Sequence, residues 1–400
     1  MEPLSSRDVF SRRTDWELSP NALSRALASR RAAGGSVVDL TVTNPTAVGL
    51  LHPPSLFAGV MDSGVSGYEP EPLGITRARE QVAAYYRSRD CACDAGEVFL
   101  TASTSEAFAY LMALLCDPGD AVLVPRPGYP LLDYLAALSG IRLVHYSLRY
   151  AGTWHVELEE LRVLAGADAR VRAVFATSPG NPTGAYLKRG ELAAIERLCA
   201  ERELALVVDE VFADYPMRAD PERVDCTLGA RDCLTFVLSG LSKVALLPQL
   251  KLSWGVACGP PARVGAALAR LALVADSFLS VATPVQLALG RILAAAPALQ
   301  VQVRERTSAN YAALRAALAG GAASALDAEG GWAAVLRLPA LGGLDDEGWA
   351  LALLEAGVCV QPGSLYDLDG CHAVVSLLSE PAPFAAGVAV LAREVARRAG

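Results

Sequence analysis

Short apolar runs recur through the middle of the chain, separated by amphipathic stretches or long crossings. The runs at 121–124, 171–176, 204–208 and 234–238 are continuous enough to predict buried strands. Their alternation with helical patterns predicts a largely parallel sheet with helices packed on its faces, which is an α/β layer fold. Such a sheet places the carboxyl ends of its parallel strands along one edge.

The pattern changes in the last part of the chain. Residues 260–316 have a helical pattern, whereas the residues that follow contain short strand patterns around a helix at 345–356. This predicts a smaller α+β unit, and we expect the N-terminal segment to pack with it. The predicted domains are a large domain at 46–285 and a discontinuous small domain formed by 1–45 and 286–400.

The composition is that of a globular protein with enough apolar residues for a large core. The chain has 400 residues, of which 52% are hydrophobic and 20% charged, and its formal net charge is −8. This charge argues against a nucleic-acid-binding surface, and the four histidines and nine cysteines show no metal-ligand spacing. We therefore expect no metal, no nucleic-acid partner and reduced cysteines.

Two Ala/Leu-rich stretches, at 264–275 and 285–298, are bounded or interrupted by charged and polar residues. We interpret them as buried helices and not as membrane spans. The N-terminal residues carry charges where a signal peptide needs an apolar run. These features predict a cytoplasmic protein without membrane contact.

Polar and aromatic residues follow the predicted strands where a ligand would bind. Tyr129, Asn181, Asp209 and Lys243 each come at or shortly after the end of an apolar run. Because ligands of α/β sheets bind at the carboxyl ends of the strands, these side chains are expected to converge. A carboxylate buried at a strand end, such as that of Asp209, requires a cationic partner.

Lys243 is the most informative of these residues. Only three of the 35 basic residues are lysines, namely Lys188, Lys243 and Lys251. A lysine amine can act as a nucleophile once burial or a neighbouring cation lowers its pKa, which an arginine cannot do. We interpret Lys243 as a residue that forms a Schiff base with pyridoxal phosphate. The alternative is a surface lysine in a loop.

A cluster of hydroxyl residues lies between a predicted strand and a predicted helix. Ser103, Thr104 and Ser105 follow the apolar start of 98–105 and precede a helical pattern that opens at Glu106. The N-terminus of a helix has free N–H groups and a positive dipole, so it can bind a phosphate. Simple N-capping by serine or threonine is the alternative interpretation.

Taken together and in this order, the motifs resemble the class I/II aminotransferases, which are fold-type I pyridoxal-phosphate enzymes. The resemblance extends over residues 37–380, and its motifs include GNPTG at 180–184 and PGYP at 127–130. It implies a three-layer PLP-transferase-like large domain with a mostly parallel sheet, together with the smaller α+β domain. It also implies a homodimer with shared active sites.

The resemblance assigns roles to the residues already singled out. Lys243 would hold the cofactor covalently and shuttle a proton, Asp209 would keep the pyridine nitrogen protonated, and Asn181 would bind the phenolic oxygen. Tyr129 would stack on the ring. The phosphate would be bound by Ser103, Thr104, Ser105, Lys251 and, from the partner subunit, Tyr68.

The sequence departs from the family pattern at three places. Lys251 stands where the family has a phosphate-binding arginine, and Phe212 replaces a tyrosine that donates to the phenolic oxygen; Tyr215 is the nearest substitute. The stretch 371–381 lacks the arginine that binds the substrate carboxylate. The sequence also has no arginine between Asp276 and Gln286 for a second carboxylate, which argues against aspartate as the substrate.

The group that would bind the substrate carboxylate stays open between Arg77 and Arg126. The predicted function is a pyridoxal-phosphate-dependent aminotransferase that transfers an amino group between an amino acid and a 2-oxo acid by a ping-pong mechanism. A lyase, decarboxylase or oxidase with the same cofactor and fold is the first alternative, since fold does not decide which bond breaks. A non-catalytic pyridoxal-phosphate-binding regulatory protein is the second.

Overall fold

The computed structural model describes residues 9–57 and 70–400. The helices are α1 Ala22–Ala32, α2 Thr76–Arg87, α3 Thr104–Leu115, α4 Leu131–Ser139, α5 Leu158–Ala167, α6 Arg189–Arg202, α7 Leu241–Val244, α8 Pro261–Asp276, α9 Thr283–Leu318, α10 Asp346–Ala356 and α11 Pro381–Ala399. The strands are β1 Val38–Asp39, β2 Val98–Thr101, β3 Ala121–Arg126, β4 Arg142–Tyr150, β5 Trp154–Val156, β6 Val171–Thr177, β7 Ala205–Asp209, β8 Thr235–Gly240, β9 Ser253–Cys258, β10 Ser324–Ala325, β11 Ala333–Arg337, β12 Val358–Cys359, β13 Gln361–Pro362 and β14 His372–Ser376.

An eight-stranded sheet forms the centre of the molecule, with the strand order β2-β9-β8-β7-β6-β3-β4-β5. The run from β8 through β7, β6 and β3 to β4 is parallel, and antiparallel strands lie at the two ends. The predicted parallel arrangement of the four apolar runs is confirmed, since these runs form β3, β6, β7 and β8.

Alternation along the strands supplies both faces of this sheet. Val122 and Val124 of β3 pack in a cluster with residues of α3 and α8, whereas Ala121 and Leu123 pack in a second cluster with residues of α5 and α6. Both faces are therefore apolar, as expected of parallel strands covered by helices on either side. The three-layer α/β fold predicted for this part of the chain is confirmed.

A smaller antiparallel sheet has the order β10-β11-β14-β13. Its core includes Phe384 and Val388 of α11 and Trp349 of α10, together with Leu40 from the N-terminal segment. The short strand β1 pairs in parallel with β12. The N-terminal segment thus packs with the α+β part, as the sequence predicts.

The long helix α9 runs from Thr283 to Leu318 and passes through the predicted domain boundary at residue 285. By length and composition it could cross a membrane, but half of its most apolar window is buried inside the protein. Its buried residues include Leu289 and Ile292 next to the large sheet and Leu314 in the core of the smaller one. The domain boundaries themselves stay a prediction.

Candidate active site

A cavity of about 600 Å³ opens at the carboxyl ends of the parallel strands, where the smaller sheet faces the larger one. It brings together the residues that the sequence singled out: Ser103, Thr104, Ser105, Tyr129, Asn181, Asp209, Lys243 and Lys251. Tyr68 lies outside the described residues, so its predicted role stays a prediction. A cavity of this size matches the usual range for a small-molecule site.

Lys243 is on the short helix α7, which starts directly after β8. Its Nζ atom lies 4.9 Å from the ring centre of Trp332 and 5.4 Å from that of Phe212. It makes no hydrogen bond or ion pair with any residue in the described ranges. Burial lowers the pKa of this amine, and the charge of Asp209 opposes that effect. The amine is therefore poised as a nucleophile.

Lys188, the lysine that does not line the cavity, has a different environment. Lys188 Nζ lies 2.6 Å from a carboxylate oxygen of Asp220 and 2.7 Å from one of Glu329. Burial alone would lower its pKa, but the hydrogen bonds that Lys188 donates to these two carboxylates raise it. The side chain of Lys188 is thus occupied by ion pairs, whereas that of Lys243 is left free for a ligand.

Asp209 ends β7 and places its carboxylate in the cavity. Oδ1 accepts a hydrogen bond of 3.0 Å from the Val211 N–H, and the other oxygen has no hydrogen-bond partner in the described part of the chain. Burial raises the pKa of Asp209 to about 6, although the Val211 hydrogen bond and Lys243 act in the opposite direction. A half-satisfied carboxylate in a cavity is suited to a cationic N–H donor.

At the start of α3, one hydroxyl of the cluster caps the helix and the other two line the cavity. Ser103 is the N-cap, and its Oγ accepts a hydrogen bond of 3.1 Å from the Glu106 N–H. The helix begins at Thr104, two residues earlier than the sequence pattern indicated. The hydroxyls of Thr104 and Ser105 make no hydrogen bond with the described residues, and both line the cavity with Lys251. They are free to bind an anion at a helix N-terminus.

Trp332 is a cavity residue that the sequence reasoning missed. Its ring lies edge to face with those of Phe212 and Tyr215, at centroid distances of 5.2 and 5.1 Å. It follows two glycines and precedes β11 of the smaller sheet. The pair of glycines before an aromatic residue was visible in the sequence, but nothing in its spacing indicated that it meets Lys243.

The segment before Trp332 is held against the large domain by main-chain contacts. The N–H groups of Glu329 and Gly330 donate to the carbonyl of Gly184, and that of Gly331 donates to the carbonyl of Tyr215. A Cβ atom at Gly184 would come within 2.6 Å of the Gly330 oxygen, so this close approach requires glycine. The loop that carries Asn181 and the wall that carries Trp332 are therefore fixed relative to each other.

The two arginines left open for a substrate carboxylate do not line the cavity. Arg126 pairs with Asp369 at 3.0 Å, and Arg77 is exposed on α2. Tyr215 does not replace the missing tyrosine either, because its buried hydroxyl donates to the main-chain carbonyl of Lys243. The site thus contains Phe212 and Lys251 at the two positions where the sequence departs from the family pattern.

The chemistry of these groups fits pyridoxal phosphate. The cavity is lined by the Lys243 amine, the Asp209 carboxylate, the Asn181 amide and hydroxyls at a helix N-terminus. The amide of Asn181 has no hydrogen-bond partner among the residues that the structure describes. These lining groups correspond to the aldehyde, the ring nitrogen, the phenolic oxygen and the phosphate of that cofactor. Within the described ranges no group of three or more His, Cys, Asp or Glu side chains could hold a metal ion.

Curated relatives with sequence similarity are aminotransferases. Bovine tyrosine aminotransferase is 28% identical over 62% of this chain and 58% of its own length. The glutamate-pyruvate aminotransferase of Escherichia coli K12 is 27% identical over 63% of this chain and 62% of its own length. The chain thus spans about three fifths of the length of these relatives.

Solved structures show the same fold at low sequence identity. The alanine aminotransferase of Pyrococcus furiosus superposes with a TM-score of 0.88 and 20% identity, over 97% of this chain and all of the other. An aspartate aminotransferase mutant of Thermus thermophilus gives a TM-score of 0.83 and 23% identity, over 96% and 99% of the two chains. At such identities the likeness establishes the fold alone.

The sequence model described as aminotransferase class I and II matches residues 62–374. This range includes both the helix start at Ser103 and the Lys243 segment, and it covers most of the chain. The protein belongs to the class I/II aminotransferase family.

Proposed function

We propose that this protein is a pyridoxal-phosphate-dependent aminotransferase that works by a two-stage ping-pong mechanism at Lys243. The observation that carries the proposal is the Lys243 amine, which lies in the cavity without a hydrogen-bond partner among the described residues and next to the rings of Trp332 and Phe212. From the names of the relatives we take an amino acid and a 2-oxo acid as the starting substrate class.

In this proposal each cavity group has one task toward the cofactor. Lys243 holds the aldehyde carbon, Asp209 holds the protonated ring nitrogen, and Asn181 binds the phenolic oxygen. Tyr129 covers the ring face, and Ser103, Thr104, Ser105 and Lys251 bind the phosphate, with Tyr68 of the partner subunit as a further ligand. When bound, pyridoxal phosphate supplies an electron sink for the bonds at the substrate's amino carbon.

The chain's own residues do the remaining work. Asp209 keeps a positive charge at the ring nitrogen because its own carboxylate is buried and needs a cationic partner. The Lys243 amine, freed when the substrate amine takes its place, can take a proton from the substrate carbon and return it. The rings of Trp332 and Phe212 exclude water from this amine and keep its pKa low.

We also propose a homodimer with shared active sites and a cytoplasmic location. The nine cysteines are all free, and six of them are buried, which is consistent with a reducing compartment. The homodimer follows from the predicted role of Tyr68. Analytical ultracentrifugation tests it, since a monomer with full cofactor content would contradict shared sites.

A lyase, decarboxylase or oxidase using the same cofactor is the second candidate. The observation that favours it is the replacement of the family tyrosine by Phe212, together with the lack of a cavity arginine among the described residues. A cofactor that an amino donor converts to its amine form, and that a 2-oxo acid then restores, identifies an aminotransferase. Release of ammonia or carbon dioxide without such restoration identifies the alternative.

Borohydride reduction followed by peptide mass spectrometry tests the central assignment. We expect the reduced cofactor adduct on the peptide that contains Lys243. Lys243→Ala should lose it, while Lys188→Arg, which keeps the charge in the ion-pair network, should retain it. An adduct that persists in Lys243→Ala would refute the proposal.

A further inference from the structure

The part of the cavity left for the substrate is lined by the smaller sheet. Val374 of β14 and Ala333 of β11 form this wall with Tyr366 and Trp332. Val374 is only 1% exposed and belongs to an apolar cluster that also contains Val335. The same side also contains the uncharged polar residues Gln361, Ser364 and Ser376, so apolar and polar groups are mixed there and none of its described residues is cationic.

In the proposed function, both lysines that line the cavity already bind the cofactor. Lys243 and Lys251 are the lysines that line it, and no arginine of the described ranges does so. His145 is a further lining residue, on β4 of the large sheet. Outside the described ranges the sequence has a single basic residue, Arg7, and residues 58–69 contain none.

Two arginines at strand ends, Arg126 of β3 and Arg337 of β11, have other partners. Arg126 donates to the main-chain oxygen of Asp367 at 3.3 Å in addition to its ion pair with Asp369. Arg337, at the end of β11, places its guanidinium 5.8 Å from the ring centre of Tyr150. Both side chains thus have partners of their own, and neither lines the cavity.

The remaining charges in the cavity would repel an anion. Asp133 and Asp367 are exposed lining residues, and Asp209 lies at the base. A substrate carboxylate would lose its water in front of this wall and near the exposed Asp133 and Asp367, and no cation among the described residues of this subunit is left to pair with it. Desolvation of an unpaired charge is far more costly than that of a neutral group, which instead gains from apolar contact.

We propose that the preferred amino donor carries an uncharged group where an amino acid carries its carboxylate, so that it is an aliphatic or aromatic primary amine without a carboxylate, or an amino-acid amide. This inference rests on the proposed function, which assigns Lys243 and Lys251 to the cofactor, and it replaces the amino acid that was taken there as the starting donor. The donor's carbon exchanges its hydrogen and amino group for the oxygen of the cofactor aldehyde, and it leaves as an aldehyde, a ketone or an oxo amide.

Matched pairs of ligands test this preference with the cofactor-loaded protein. Non-reacting analogues give a readout besides activity: the dissociation constants of 3-phenylpropanamide and 3-phenylpropanoate are measured by calorimetry. The half-reaction is then followed by cofactor absorbance with phenylalanine, phenylalaninamide and 2-phenylethylamine. We expect the amide analogue to bind at least ten-fold more tightly than the carboxylate, and phenylalaninamide and 2-phenylethylamine to react faster than phenylalanine at equal concentration.

Variants that place a cation in the wall should reverse the preference. Val374→Arg is expected to shift the ratio of the two dissociation constants by ten-fold or more toward the carboxylate, while Val374→Met controls for size. Because Val374 is buried, Gln361→Arg serves as a second variant. Gln361 also lines the cavity, and it is the β13 residue that pairs with Val374 on β14.

The outcomes separate this inference from the proposed function. Tighter binding of the carboxylate by the unchanged protein would overturn the inference alone and point to a cation from the partner subunit or from Arg7. Preference for the amide without any amino transfer would overturn the aminotransferase and the amino donor proposed here, and would leave only the preference of the cavity for an uncharged ligand. Failure of the protein to take up the cofactor would overturn both.

Discussion

The Nζ atom of Lys243 lies 4.9 Å from the centre of the Trp332 ring, although Lys243 follows a strand of the large sheet and Trp332 precedes a strand of the small one. The nucleophile is therefore enclosed by residues of both sheets. The Phe212 ring lies 5.4 Å from the same amine and contacts the same tryptophan. The environment of the amine depends on the relative placement of three distant segments.

Phe212→Tyr restores a hydroxyl at the position where the family has one. A donor to the phenolic oxygen stabilises its anion, so the covalently bound cofactor should lose its proton at a pH lower by about one unit. A spectrophotometric pH titration of the loaded protein measures this. Phe212→Leu, which adds no donor, is the control, and an equal shift in both variants would contradict the explanation.

Asp209→Asn should stabilise the cofactor-free protein at neutral pH. Burial raises the pKa of Asp209 from 3.8 to about 6, so between these pH values the folded protein holds the proton more tightly than the unfolded chain does. The free energy of unfolding contributed by this group falls as the pH rises through that window. Removal of the charge should therefore add up to about 2–3 kcal/mol at pH 7–8 and nothing below about pH 4.

Urea unfolding of both proteins at acid and neutral pH measures this difference. Burial also raises the pKa of Glu210, to about 7, so the pH effect is read from the difference between the variant and the unchanged protein. The same substitution should weaken cofactor binding, because a neutral amide does not hold a protonated ring nitrogen. A loss of stability at pH 8 would show that the carboxylate has a partner beyond Val211.

Lys251→Gln and Lys251→Arg separate charge from geometry at the phosphate. We expect the glutamine variant to bind pyridoxal phosphate about ten-fold more weakly, since it loses one exposed charge-assisted contact. The arginine variant should bind as tightly as the unchanged protein or slightly more so. Pyridoxal, which has no phosphate, is the control ligand, and an equal loss with both ligands would assign Lys251 to the substrate instead.

Ser103→Ala and Ser105→Ala separate helix capping from phosphate binding. Ser103 caps α3 through the Glu106 N–H, so its substitution should cost about 1 kcal/mol of folding free energy. The Ser105 hydroxyl has no such bond among the described residues. Its loss should leave the thermal midpoint unchanged and weaken cofactor binding by about ten-fold. Thermal unfolding without cofactor and titration with it measure the two effects.

The strand ends were the predictable part of the site. Continuous apolar runs identify β3, β6, β7 and β8, and the rule that ligands bind at their carboxyl ends then brings Asn181, Asp209 and Lys243 together. The lysine was recognisable because the chain otherwise uses arginine. These inferences needed only local patterns and one rule of sheet topology.

The cavity wall that the smaller sheet forms was not predictable in the same way. Val374 lies on a short strand of the smaller sheet and Trp332 directly precedes another. Apolar residues there indicate burial without indicating what they face. Their position depends on the docking of one sheet against the other, which no periodicity encodes. The role of Tyr68 stays a prediction for the same reason, since it depends on a second subunit.

Gly184 and Gly330 are far apart in the sequence but in close contact in the structure. The residue types that one position tolerates therefore depend on the residue at the other. A Cβ atom at Gly330 would come within 2.6 Å of both the Tyr186 ring and the Tyr215 oxygen, and one at Gly184 equally close to Gly330. A random library at these two positions should therefore recover glycine at both. A selected variant with a side chain at either site should also have lost the register that places Trp332 against Lys243.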